Sequence, residues 1–172
     1  MKKIIFLNLT LLLATPWFLT VWLSPKILVE IFNFQFSIFN LSNNLAYLTS
    51  GEFLFFTGDG RPGYGTGDHG VFLLSFMPLL LTGTYHLLSS QKKRNKFLLW
   101  WVLIGLTIAV VFGNAPGLPA ALWFLPALSL IAATGFKELT EHKIFFSLNL
   151  IWIIYESLRL YHIISVHKPF NV

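Results

Sequence analysis

Five apolar runs of near-membrane length, separated by short basic or glycine-rich stretches, constrain this chain more than any other feature. They cover residues 4–23, 71–88, 97–112, 118–136 and 144–164. Crossing bilayer hydrocarbon takes about 20 apolar residues in a helix, with a range of roughly 17–25. In hydrocarbon every backbone polar group must be paired inside its own segment, which makes helix the expected conformation. Only 11% of residues are charged, against about 25% in a soluble domain, too little polar surface to coat a water-soluble globule. The isoelectric point near 9.6 does not mark a nucleic-acid-binding protein. The cations are sparse, lie between apolar runs and form no continuous basic face. With no cysteine, a disulfide framework, a thiolate metal site, an iron–sulfur cluster and a cysteine nucleophile are all excluded. The reading is an all-α, polytopic membrane helix bundle, one membrane domain over residues 1–172, whose first partner is the lipid bilayer.

The cations also orient it. Lys2 and Lys3 precede the first run, Lys92, Lys93, Arg94 and Lys96 separate the second from the third, and Lys137 and Lys143 separate the fourth from the fifth. Only Lys26, Arg61 and Lys168 fall on the opposite side. The positive-inside rule then places the N-terminus in the cytoplasm and the C-terminus outside. The first run resembles a signal peptide in its lysines and leucine-rich centre. However, Pro16, Trp17, Phe18 and Trp22 stand where cleavage needs small residues. An uncleaved helix kinked at Pro16 is expected.

Between the first two runs lies an external loop over residues 24–70. Its first part is rich in Phe, Ile and Leu with asparagines interspersed, and reads as helix lying in the outer interface. A sixth span is the alternative, and it would break the charge count. Residues 58–70 hold six glycines in thirteen positions. Glycine lets backbone amides approach an anion closely. Gly58, Gly60 and Gly63 satisfy G-x-G-x-x-G, but with no preceding strand a dinucleotide site is not expected. Asp59 and Asp68 can hold a divalent cation, although with Glu52 they make no calcium loop. Arg61 and His69 can hold a phosphate or pyrophosphate. Asp59, Arg61, Asp68 and His69 are therefore the candidate substrate-binding set, and a glycine-rich re-entry turn is the alternative.

Within the last run, Glu156 and Arg159 form an i, i+3 intramembrane pair. Such ions usually face a protein interior or a water cavity, or else Arg159 snorkels outward and neutralises Glu156. His86 reads as an interface residue. No serine-hydrolase, zinc or phosphate-loop motif is present, so catalytic residues are not assigned and no metal site is expected.

Phe53-Leu-Phe-Phe-Thr-Gly-Asp-Gly60 resembles the outer-loop segment of bacterial GT-C membrane glycosyltransferases of the protein O-mannosyltransferase and aminoarabinose-transferase type. The resemblance continues in order through Phe76-Met-Pro-Leu-Leu-Leu-Thr-Gly83, Phe97-Leu-Leu-Trp-Trp101, Leu125-Pro-Ala-Leu128 with Ala132-Ala-Thr-Gly135, Tyr161-His162 and His167-Lys-Pro169. It covers about residues 40–170 and corresponds to the later half of that family. It implies a bacterial inner membrane, a polyprenyl-phosphate sugar as donor and transfer at the outer face. The family's first-loop acid is absent, and the stretch Asn114-Ala-Pro-Gly-Leu-Pro119 lacks the acid, histidine and arginine that the family places there. The implied role is a partial transferase module that needs a partner chain supplying the missing half. A non-catalytic assembly subunit or remnant is the alternative, and a small transporter is the third.

Overall fold

Every regular element among the described residues is helical. The computed structural model describes residues 41–61, 69–90, 93–112 and 117–167. The expected first span, the adjoining loop to residue 40, and Asp68 lie outside them. The order is α1 (Leu41–Leu48), a π-helical turn (Glu52–Phe56), α2 (Phe76–Ser89), α3 (Lys93–Phe112), α4 (Leu118–Ala121), α5 (Leu125–Leu139) and α6 (Lys143–His167). Among the described residues one stretch, Lys143–Ile163 in α6, is long and apolar enough to cross a membrane by length and composition, and Lys96–Val111 is a shorter apolar stretch. Only 17% of that α6 window is buried, whereas the core helix of a soluble domain is mostly buried. Ile144, Phe145, Leu148, Ile151, Tyr155 and Leu158 point outward.

Two of the apolar runs are broken where their hydrophobicity continues. The run over 71–88 becomes helix only at Phe76, because residues 71 and 72 pair with an earlier segment: Val71 N–H donates to the Phe53 carbonyl (3.2 Å) and Phe72 N–H to that of Leu54 (2.8 Å). Those carbonyls are available because the π-helical turn sends Thr57 N–H back to Glu52 O (2.8 Å). The run over 118–136 breaks at residues 122–124. Pro126, in the first turn of α5, has no N–H, and its ring would collide with the Leu122 carbonyl if α4 continued.

The most extensive helix contact joins α2 to α5. At its centre Gly83 lies against the Ile131 carbonyl and Gly135 against the Leu79 carbonyl, so a methyl group on either glycine would overlap backbone. Small residues at such a crossing let two backbones meet. At one end of the crossing His86 Nδ1 lies 3.3 Å from Glu138 Oε2, giving His86 a partner on α5. Helix α3 packs against the α4–α5 joint through Gly105 and Trp101, both directed at Trp123 O. The core gathers Leu48, Phe53, Phe72, Phe76, Leu79, Leu118 and Leu125, all fully or nearly fully buried. Leu48 and Phe53 show that the segment read as interfacial helix contributes to this core, while Leu41, Leu45 and Phe56 stay exposed.

Candidate functional site

The glycine-rich loop begins from a sharply fixed base. Gly58 has φ +65°, the left-handed region that favours glycine, and a Cβ there would come within 2.7 Å of the His69 carbonyl oxygen. Tyr47 Oη donates to the Gly58 carbonyl (3.2 Å). Its phenol pKa is raised above the ordinary value, by burial first and then by the negative charge of Asp59. Gly70 lies directly on the Phe55 backbone. The two ends of the glycine-rich segment are thus held side by side.

Asp59 is 2% exposed. Its Oδ1 accepts from Arg61 N (3.2 Å) and Nε (2.9 Å), and its Oδ2 from Arg61 Nη2 (2.7 Å) and Leu118 N (2.7 Å). The last bond satisfies a donor that the first turn of α4 cannot pair internally. It also ties the loop base to the start of α4. A side chain at Gly117 would run into both Arg61 and Asp59. The Arg61 side chain is 35% exposed, so its charge is held in place by Asp59 yet open to solvent.

The sequence-predicted residues divide into two places. Asp59 and Arg61 meet at the start of α4, and Asp68 lies outside the described residues. His69 faces the opposite way, into a cavity of about 340 Å³ whose polar lining is completed by Glu156 and Arg159. Phe55, Phe56 and Phe72 form its aromatic wall, with Leu160 and Ile163 of α6 opposite. His69 Nδ1 lies 3.1 Å from Gly70 O, which orients the ring. Glu156 Oε2 accepts from Ser75 N (2.8 Å), the residue before α2. Glu156 and Arg159 share the cavity without forming an ion pair within 4 Å.

Two residues of this region had not been singled out from sequence. Asn149 Nδ2 donates to Ser75 O (2.9 Å), so Ser75 is gripped from both sides by α6. Ser75 Oγ and Asn149 Oδ1 are buried and have no hydrogen-bond partner among the described residues. The readable signal was spacing: residues 149, 153, 156, 160 and 163 form the inward stripe of an otherwise apolar helix, and two of them are polar. Among the described residues no group of three or more His, Asp or Glu converges as a metal site.

No family model matches the chain, and no curated protein or solved structure is similar to it.

Proposed function

We propose that this chain is a membrane-embedded module of a lipid-linked-sugar glycosyltransferase of the GT-C type, working at the outer face of a bacterial inner membrane with a partner chain that supplies the catalytic acid. In this reading five spans cross the bilayer, the N-terminus is cytoplasmic, and residues 58–70 and the C-terminus are external. The observation that carries it is the Arg61 guanidinium, fixed by two hydrogen bonds to the Asp59 carboxylate and part-exposed at the base of a glycine-rich loop. A cation placed in this way suits the phosphate of a polyprenyl-phosphate sugar, whose tail stays in lipid while its head reaches the interface. Asp68 is the proposed second contact, to sugar or to a divalent cation bridging carboxylate and phosphate, whereas His69 lines the separate cavity beside α6 and is not part of this site. Asp59 holds Arg61 and does not act as base.

The complete use of Asp59 in hydrogen bonds favours one second reading, a non-catalytic assembly subunit in which the loop is a structural joint. Titration of a polyprenyl-phosphate analogue into the purified chain separates the two. Losing a charged contact to phosphate costs about 1.5–3 kcal/mol, roughly ten- to hundredfold in affinity. Arg61→Ala should lose that much, and Lys168→Ala should bind like the parent. If Arg61→Ala also binds like the parent, the subunit reading stands. Topology is tested separately by single cysteines, Thr66→Cys and Asn95→Cys, since the native chain has no thiol. Equal labelling of both from outside would refute the orientation.

A further inference from the structure

The cavity beside α6 poses a problem that the sugar-transfer reading does not solve. It holds a carboxylate and a guanidinium one helical turn apart, and neither neutralises the other within 4 Å. The Glu156 carboxylate gives one oxygen, Oε2, to Ser75 N–H. Its Oε1 has no hydrogen-bond partner among the described residues, and neither has the Arg159 guanidinium. Glu156 is part-buried and Arg159 exposed, so both charges are open to a ligand that carries the opposite pattern. The cavity volume of about 340 Å³ lies within the range of about 300–1,000 Å³ usual for small-molecule sites. Exposed Phe56 and half-buried Phe55 line it, and phenyl rings attract an ammonium group.

We propose that this cavity binds a zwitterion of phosphoethanolamine chemistry, its ammonium against Glu156 Oε1 and the phenylalanine wall, its phosphate against Arg159. Arginine presents a planar fork of donors matched to phosphate oxygens. A carboxylate already anchored at one oxygen offers the other in a fixed direction. His69, oriented by its contact with Gly70 O, adds a polar ring to the lining. An ethylene bridge separates the two charges of the ligand, in keeping with acceptor and donor groups one helical turn apart. The same chemistry occurs on a free solute and on a phospholipid headgroup. The site is distinct from the Arg61 site and stands whether or not that one binds a lipid-linked sugar.

The test uses the purified full chain in detergent micelles and calorimetric titration with three probes: O-phosphoethanolamine, dihexanoyl phosphatidylethanolamine, and dihexanoyl phosphatidic acid as the ammonium-free control. The parent should bind a zwitterionic probe at least about tenfold more tightly than phosphatidic acid, the effect of one charged contact. Glu156→Gln keeps an oxygen for Ser75 N–H and should erase that preference while leaving phosphatidic acid binding unchanged. Arg159→Ala, on an exposed side chain that does not threaten the fold, should weaken every probe about ten- to hundredfold. Equal binding of the free and lipid zwitterions supports the site and identifies a solute ligand, and binding of the lipid form alone supports it and identifies a headgroup. A parent that binds neither zwitterion in preference to phosphatidic acid overturns the proposal. So does an Arg159→Ala chain that binds all three like the parent.

Discussion

The α2–α5 crossing makes a quantitative prediction about two glycines. In Gly83→Ala the new methyl falls on the Ile131 carbonyl oxygen, and in Gly135→Ala on the Leu79 carbonyl oxygen. Both obstacles are backbone, so neither can rotate aside as a flexible side chain would, and the helices must part. Overpacking of this kind costs about 1–3 kcal/mol, and a rigid obstacle puts the cost near the top of that range. Alanine returns about 1 kcal/mol through helix propensity. Each single variant should therefore lose about 2 kcal/mol, from about 3 against about 1. For a chain of this length that lowers the melting temperature by roughly 4–8 °C.

The double variant distinguishes backbone contact from ordinary crowding. One separation of α2 from α5 relieves both overlaps, so the packing cost arises once while the propensity gain arises twice. Gly83→Ala/Gly135→Ala should be no less stable than either single variant, a departure from additivity expected of groups in direct contact. Gly60→Ala is the control, since a Cβ there meets nothing within 4 Å. Thermal unfolding of the full chain in micelles, followed by helical circular dichroism, reads all four. If Gly83→Ala melts with Gly60→Ala, or if the double variant loses about 4 kcal/mol as the sum of two independent sites, the reasoning fails.

Three further outcomes follow from the same structure. Asp59→Ala leaves the Leu118 N–H and the Arg61 guanidinium without their acceptor. It should cost about 2–3 kcal/mol, below the usual 3–5 for a broken buried pair because Arg61 is part-exposed; Asp59→Asn should cost less, and chemical denaturation measures both. Tyr47 favours its neutral phenol in the folded chain, so its contribution holds below the ordinary value of 10.0 and disappears as pH rises through the raised folded value. Unfolding measured across about pH 9–12 should show a fall in stability above pH 10 that Tyr47→Phe reduces. Ser75→Ala removes a hydroxyl that is fully buried and makes no hydrogen bond among the described residues. It should be neutral or stabilising by about 1 kcal/mol, and a loss greater than that would show that the hydroxyl has a partner in the folded protein.

The helical class was legible because long apolar runs with few charges leave the backbone no other way to pair its polar groups. The breaks inside those runs were less so. Residues 71–75 carry four apolar side chains in five positions, and what keeps their start out of the helix is the pairing of Val71 and Phe72 to Phe53 and Leu54, a contact no local pattern reveals. The break at residues 122–124 did have a local sign in Pro126, overridden by the continuous hydrophobicity around it. The glycine-rich segment was rightly marked as unusual by composition, but composition cannot tell which way each charge turns. Asp59 and His69, ten positions apart in sequence, have separate surroundings: Asp59 holds Arg61 and Leu118 N, and His69 lines the cavity beside α6.

The acids explain that division. Where a helix starts inside an apolar bundle, its first N–H groups cannot reach water and must find an acceptor within the protein. Asp59 reaches Leu118 N at the start of α4, and Glu156 reaches Ser75 N just before α2. Each is also favoured there by the positive end of the peptide dipoles. In both cases a carboxylate far away in sequence caps a helix start, Asp59 at the beginning of the run over 118–136 and Glu156 at the break before Phe76, so the candidate substrate-binding acid and the acid of the intramembrane pair each have a structural role first. They differ in what is left over. Arg61 donates three further bonds to Asp59 and occupies both of its oxygens, whereas Glu156, with Oε2 taken by Ser75 N–H, lines a cavity together with Arg159 and phenylalanine residues. Of the two, Glu156 is the acid placed to meet a ligand, and Asp59 acts only through the arginine it holds.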